Sequence, residues 1–138
     1  MTAKEYLRQL KTLDNLINAK LLEKERIRAL ATKVTSNLSE RVQGGGSGGF
    51  ENTLIKINEL ERSIDEDVDK LVDLKDEARA MIDKISNNNH RAILHMYYVS
   101  NSTFEQIAGY MNYSVAGIFK IHGYALRDFG EIYKMAKE

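Results

Sequence analysis

"FEQIAGYMNYSVAGIFKIHGYAL", residues 104–126, holds two short helical patterns separated by one tight turn. Phe104, Ile107, Ala108 and Met111 recur at steps of three and four, the spacing of one helix face, and Thr103 just before them is a good N-cap. Asn112 stands where the chain must reverse, and Asn tolerates the left-handed backbone conformation that such a turn demands. Ser114 then caps a second helix, whose inner face is Ile118, Ile121, Ala125 and Leu126. The small side chain of Ala108 lets the two helices cross closely, and Tyr113 is placed to fill their corner. Small, turn and core positions together meet the requirements of a helix-turn-helix, a unit that presents its second helix to a major groove. That helix is sparsely equipped for hydrogen bonding: Val115, Ala116, Gly117, Phe119, Lys120 and Gly123 occupy its outward positions.

Upstream, Ile93, Leu94, Tyr97 and Tyr98 mark a further short helix, and the polar run "SNNN" at 86–89 reads as the joint before it. A much longer pattern precedes the joint. Ile57, Leu60, Ile64, Leu71, Leu74, Ala78, Met81 and Ile85 form a heptad-like seam over 51–85, with Val68 replacing position 67. A matching stripe of Tyr6, Leu10, Leu13 and Ile17 runs from a Thr2–Glu5 capping box. Leu21, Ile27, Leu30, Ala31 and Val34 continue it less regularly, and Lys20 and Lys24 interrupt it, which predicts a helix over 3–35. Between the two long patterns lies a glycine-rich loop at 43–50 that cannot meet the entropic cost of helix order. Its Gly44, Gly46 and Gly49 match G-x-G-x-x-G, but no strand precedes them and no Lys-Ser or Lys-Thr pair follows, so phosphate binding is not expected.

The fold class is therefore all-α: a long antiparallel helical hairpin at 1–85 followed by a small helix-turn-helix domain at 86–138. Charge agrees with that pairing. Residues 1–43 carry nine Lys and Arg against five Asp and Glu, a net of +4, whereas residues 50–85 carry six against eleven, a net of −5. The formal net charge of the whole chain is zero, unlike that of strong nonspecific nucleic-acid binders. The same apolar seam can pair within one chain or between two, so a homodimer through the hairpin is an open alternative.

Other classes are disfavoured. There is no Cys, and His90, His95 and His122 lack metal-ligand spacing. The acidic "DEDVDK" at 65–70 lacks the glycine and the terminal Glu of a calcium loop and reads as a solvated face. His95 and His122 read as half-buried packing residues, and the tyrosines at 97, 98, 110, 113, 124 and 133 mostly as helix-packing aromatics. We expect no enzyme, cofactor or metal. With no signal-like start and no apolar run that would span a bilayer, the expected location is cytoplasmic, away from membranes.

The stretch "HRAILHMYYVSNSTFEQIAGYMNYSVAGIFKIHGYAL", residues 90–126, resembles region 4 of bacterial sigma factors. With "MTAKEYL", "IRALATKVT" and "ERVQ" ahead of the small-residue loop, the whole chain is similar to the phage-encoded ArpU and RinA type of late-gene transcriptional regulators. That resemblance implies a natural glycine loop and a regulator that binds double-stranded DNA in a bacterial host, with RNA polymerase or another host protein as a further partner. It departs from the family at Val115-Ala116-Gly117, where members tend to carry Tyr and Arg-like residues.

The expected interface is Ser114, Val115, Ala116, Phe119, Lys120, Gly123, Arg127 and Lys134. Lys120 is the hydrogen-bonding reader, Val115 and Ala116 can meet a thymine methyl, and Arg127 and Lys134 approach phosphates, joined by His122 and Arg91. The alternative is a protein-docking module, such as a phage inhibitor of host machinery, with Phe119 as its anchor. A core role for Phe119 would remove that anchor.

Overall fold

The computed structural model describes residues 1–40 and 47–137, with side chains at 1–33 and 49–137. It is all-α. Helix α1 runs Ala3–Glu40, α2 Ser47–Ile82, α3 Asn88–Leu94, α4 Phe104–Met111 and α5 Val115–Ala136, and a π-helical turn, His95–Val99, continues α3.

The long helices begin as read. Thr2 Oγ1 accepts from the Glu5 amide at 3.1 Å and Glu5 Oε2 from the Thr2 amide at 3.0 Å, a reciprocal capping box. The expected loop at 43–50 is corrected where it is described: Ser47, Gly48, Gly49 and Phe50 form the first turn of α2, and positions 43–46 lie outside the described residues. Glycine costs a helix about 1 kcal/mol per residue, but a helix nucleated by packing further along can extend through a few of them. Thr53 Oγ1 supports this turn by donating to the Gly49 carbonyl at 2.8 Å. At its other end α2 stops at Ile82, short of 85, in a tightened turn: the Lys84 amide bonds Met81 O at 3.1 Å and the Ile85 amide bonds Ile82 O at 3.0 Å. The joint is shorter than 86–89 because Asn87 acts as an N-cap, its side chain accepting from the His90 amide at 3.1 Å, so Asn88 and Asn89 are helical.

Two compact units divide the chain, one of residues 15–70 and one of residues 1–14 with everything from Leu71 onward. In the first, α1 and α2 run antiparallel. Lys20 pairs with Asp67 at 2.5 Å, while Arg28 and Lys24 both reach Glu61, at 3.0 and 3.7 Å. Ile17, Ile57 and Ile64 are buried here. Two sequence irregularities answer one another. Lys20 interrupts one apolar stripe and Asp67 the other, and the structure joins them, with Ser63 Oγ as a second acceptor for Lys20 Nζ at 2.7 Å. Val68 does not replace position 67 on the seam; it is exposed, as are Leu21 and Leu30, because Asp67 keeps the inward place and satisfies Lys20 there.

In the second unit the start of α1 and the end of α2 again run antiparallel. Tyr6 donates to Glu77 Oε1 at 2.9 Å, and Asp14 lies 3.4 Å from Lys75 Nζ. The contact with Lys75 balances charge without hydrogen-bonding geometry, since Asp14 Oδ2 has no hydrogen-bond partner. Leu7, Leu10, Ala78 and Ile82 are fully buried, each large apolar side chain contributing about 1.5–3 kcal/mol relative to exposure. The C-terminal helix closes on the same place: Tyr6 stacks on the buried Phe129 at 6.2 Å and lies 5.1 Å from Tyr133, and Lys137 Nζ donates to Glu77 at 2.8 Å.

Candidate nucleic-acid interface

The helix-turn-helix is built from local chemistry. Thr103 Oγ1 accepts from the Gln106 amide at 3.1 Å and Gln106 Oε1 from the Thr103 amide at 2.9 Å, a capping box that starts α4. Asn112 ends it with φ 59° and ψ 41°, the left-handed conformation, and the Tyr113 amide bonds Ala108 O at 3.1 Å. Ser114 Oγ then accepts from the Gly117 amide at 3.0 Å and starts α5. Ile93, Ile107, Ala108 and Ile118 form the core beneath, flanked by Met96, Tyr97, Phe104, Met111 and Ile121. Tyr113 does not fill the corner. Its ring is exposed, its hydroxyl near Asn89 Nδ2 at 3.4 Å, because Ala108 and Ile118 close the crossing without it.

All eight residues expected at the interface are exposed. At about 100° per residue, Ala116, Phe119, Lys120, Gly123, Arg127 and Lys134 fall on one side of α5. Buried Ile118, Ala125 and Phe129 fall on the other. Phe119 is 65% exposed, so it is not a core residue. Its ring leans edge-on against Phe104 at 5.5 Å. Among the described residues none of Lys120, Arg127 and Lys134 takes part in an ion pair. Glu131 is an exposed carboxylate between Arg127 and Lys134, so the cationic character of this face is modest.

The expected phosphate contacts His122 and Arg91 are corrected. His122 turns inward: its Nε2 lies 2.9 Å from Tyr98 Oη, and burial lowers its pKa to about 4, helped by the positive charge of Lys4 and Lys11. It is neutral at physiological pH. Arg91 is half-buried and donates to Asn88 Oδ1. The tyrosines divide: Tyr98 is buried, whereas Tyr110, Tyr113 and Tyr124 are exposed, against the reading of most as packing residues. They sit on helix sides or in the turn that the small core has no room to cover.

Sequence reasoning missed Lys11. Its Nζ donates to Tyr97 O at 3.0 Å and to Asn101 Oδ1 at 2.8 Å, and stands 3.8 Å over the Tyr97 ring. It closes the C-terminal end of the π turn, where carbonyls lack helical partners and a cation is favoured. Asn101, at φ 55°, makes the reversal into Thr103. The clue was Asn between two serines after an aromatic run; nothing local pointed to Lys11. Burial pushes the Lys11 ammonium below its ordinary pKa, with Asp14 opposing.

A helix-turn-helix with this face is accompanied by one family match. The model of a family described as a protein of unknown function, DUF1492, matches residues 30–130. The chain belongs to the DUF1492 family. The DUF1492 match takes in Ser114 through Arg127 and ends before Lys134. No curated protein and no solved structure matches the chain. Among the described residues no helix is long and apolar enough to cross a membrane.

Proposed function

We propose that this chain is a phage-type transcriptional regulator that binds double-stranded DNA through α5 and acts in the cytoplasm of a bacterial host. One observation carries the reading: the eight residues chosen from sequence as a reading face are all exposed, and the opposite side of the same helix is buried. Val115, Ala116, Phe119, Lys120 and Gly123 line the part that enters the major groove. The unpaired Lys120 is the hydrogen-bonding reader, and Arg127 and Lys134 neutralise phosphates. The hairpin supplies a dimer contact or a surface for RNA polymerase.

The test is electrophoretic mobility shift on duplex DNA at low salt. Three phosphate neutralisations give a log–log salt slope of about −3. Lys120→Ala with Arg127→Ala abolishes the shift at moderate salt and, where binding is still measurable, lowers the slope by about 2. Unchanged affinity in the double variant removes the assignment. The exposed Phe119 favours a second reading, a protein-docking face; wild-type protein that retains no duplex even at low salt would establish that alternative over the first.

A further inference from the structure

We propose that α5 reads DNA chiefly through the 5-methyl groups of thymine, with Phe119 as the discriminating side chain. This rests on the DNA-binding reading above and goes beyond it by naming the chemical feature that is read. In the major groove thymine alone presents a methyl group, and apolar side chains are its natural contacts. The first outward positions of α5 are apolar: Val115 is 43% exposed and Phe119 65%, and Ala116 lies beside them. The hydroxyl of Ser114 is engaged as the N-cap, bonded by the Gly117 amide at 3.0 Å. Lys120 remains, a flexible point charge and a weak discriminator on its own.

Relief and rigidity favour Phe119 further. A methyl built on Gly123 meets nothing within 4 Å, so the ring projects from a face that a groove floor can approach closely. The ring is also held in place from behind. Phe119 rests edge-on against Phe104, Phe104 stacks on Tyr97 at 4.3 Å, and Lys11 Nζ sits over the other ring at 3.8 Å. An anchored aromatic loses little conformational freedom on binding. The cations Lys120, Arg127 and Lys134 on the same side of the helix make the matching occupant a polyanion with apolar groups on its floor, which describes thymine-rich duplex DNA better than an apolar peptide.

The probe is a pool of short duplexes randomised at their centre, made once with thymidine and once with deoxyuridine, which lacks only the methyl. Bound duplexes are recovered at low salt and sequenced. Wild-type protein is expected to enrich thymine at one or two neighbouring positions by about four-fold each, the factor for burying one methyl group, and to show no such enrichment in the deoxyuridine pool. Phe119→Ala, an exposed site whose change leaves the helical circular dichroism intact, retains duplexes from both pools but loses the enrichment. Equal enrichment in both pools, or enrichment that survives Phe119→Ala, overturns the inference and leaves DNA binding standing. Failure to retain any duplex overturns the DNA-binding reading beneath it.

Discussion

His122 shows how one contact reverses a reading. It lies in α5 among residues that face solvent, and its residue type suggests a phosphate contact. The ring instead packs between Tyr97, Tyr98 and Phe104, at 5.2, 5.6 and 5.2 Å. Burial raises the pKa of the Tyr98 phenol, so the hydroxyl keeps its proton and donates to Nε2, which only a neutral imidazole accepts. The histidine pKa is about 4 in the fold against an ordinary 6.5. The unfolded chain therefore binds an extra proton between those values. Stability from this site is complete above about pH 6.5 and is lost as pH falls toward 4. After discount for partial solvent screening, the loss is about 1–2 kcal/mol. Urea midpoints across that window should fall for the wild type and stay flatter for His122→Gln. Glu77 responds elsewhere. Hydrogen bonds from Lys137 and Tyr6 hold its carboxyl below the ordinary 4.5, so its contribution is present above that range and fails only in stronger acid.

Single elements were most legible where their signals are local. Thr103, Asn112 and Ser114 act within three or four residues of themselves, so residue type and spacing sufficed to place the turn. Ser114→Ala should cost about 1 kcal/mol by removing the cap of α5. Gly123→Ala should stabilise the same helix by about 0.5–1 kcal/mol, since the added methyl meets nothing. Chemical denaturation checks both. The DNA-binding reading adds that Gly123→Ala weakens duplex binding while raising stability, a separation that a purely structural role for this face would not produce. The π turn at His95–Val99 was not legible. It ends on Ser100, whose amide bonds His95 O at 3.0 Å, and is closed by Lys11, more than eighty residues earlier in the chain. Lys11→Met keeps the length of the stem but removes both hydrogen bonds and the cation over Tyr97. A loss of about 2 kcal/mol is expected, read from thermal or urea unfolding.

For the whole molecule, the compact units do not follow the division into hairpin and C-terminal segment that the sequence suggests. Residues 1–14 belong with the chain from Leu71 onward. Phe129 of α5 is fully buried against Tyr6, and Lys11 holds the turn ahead of α4. A fragment of residues 86–138 should therefore be poorly helical and should unfold without cooperativity, as circular dichroism on heating would show. A chain in which residues 15–70 are replaced by a short Gly-Ser turn keeps every contact of that unit, and should retain a cooperative transition together with the α5 face. A cooperatively folded 86–138 fragment would contradict this account.

The amino-acid order alone determined the helical class, the two long amphipathic elements, the position of the tight turn and the face that α5 shows to solvent. These follow from periodicity and capping, which act over one or two helical turns. Tertiary structure alone decided that Lys20 meets Asp67, that Lys11 closes the π turn, that His122 points inward and that Phe119 stays outside. Each is settled by which distant side chain occupies the neighbouring space, and the balance of desolvation against a specific partner has no signature in local spacing.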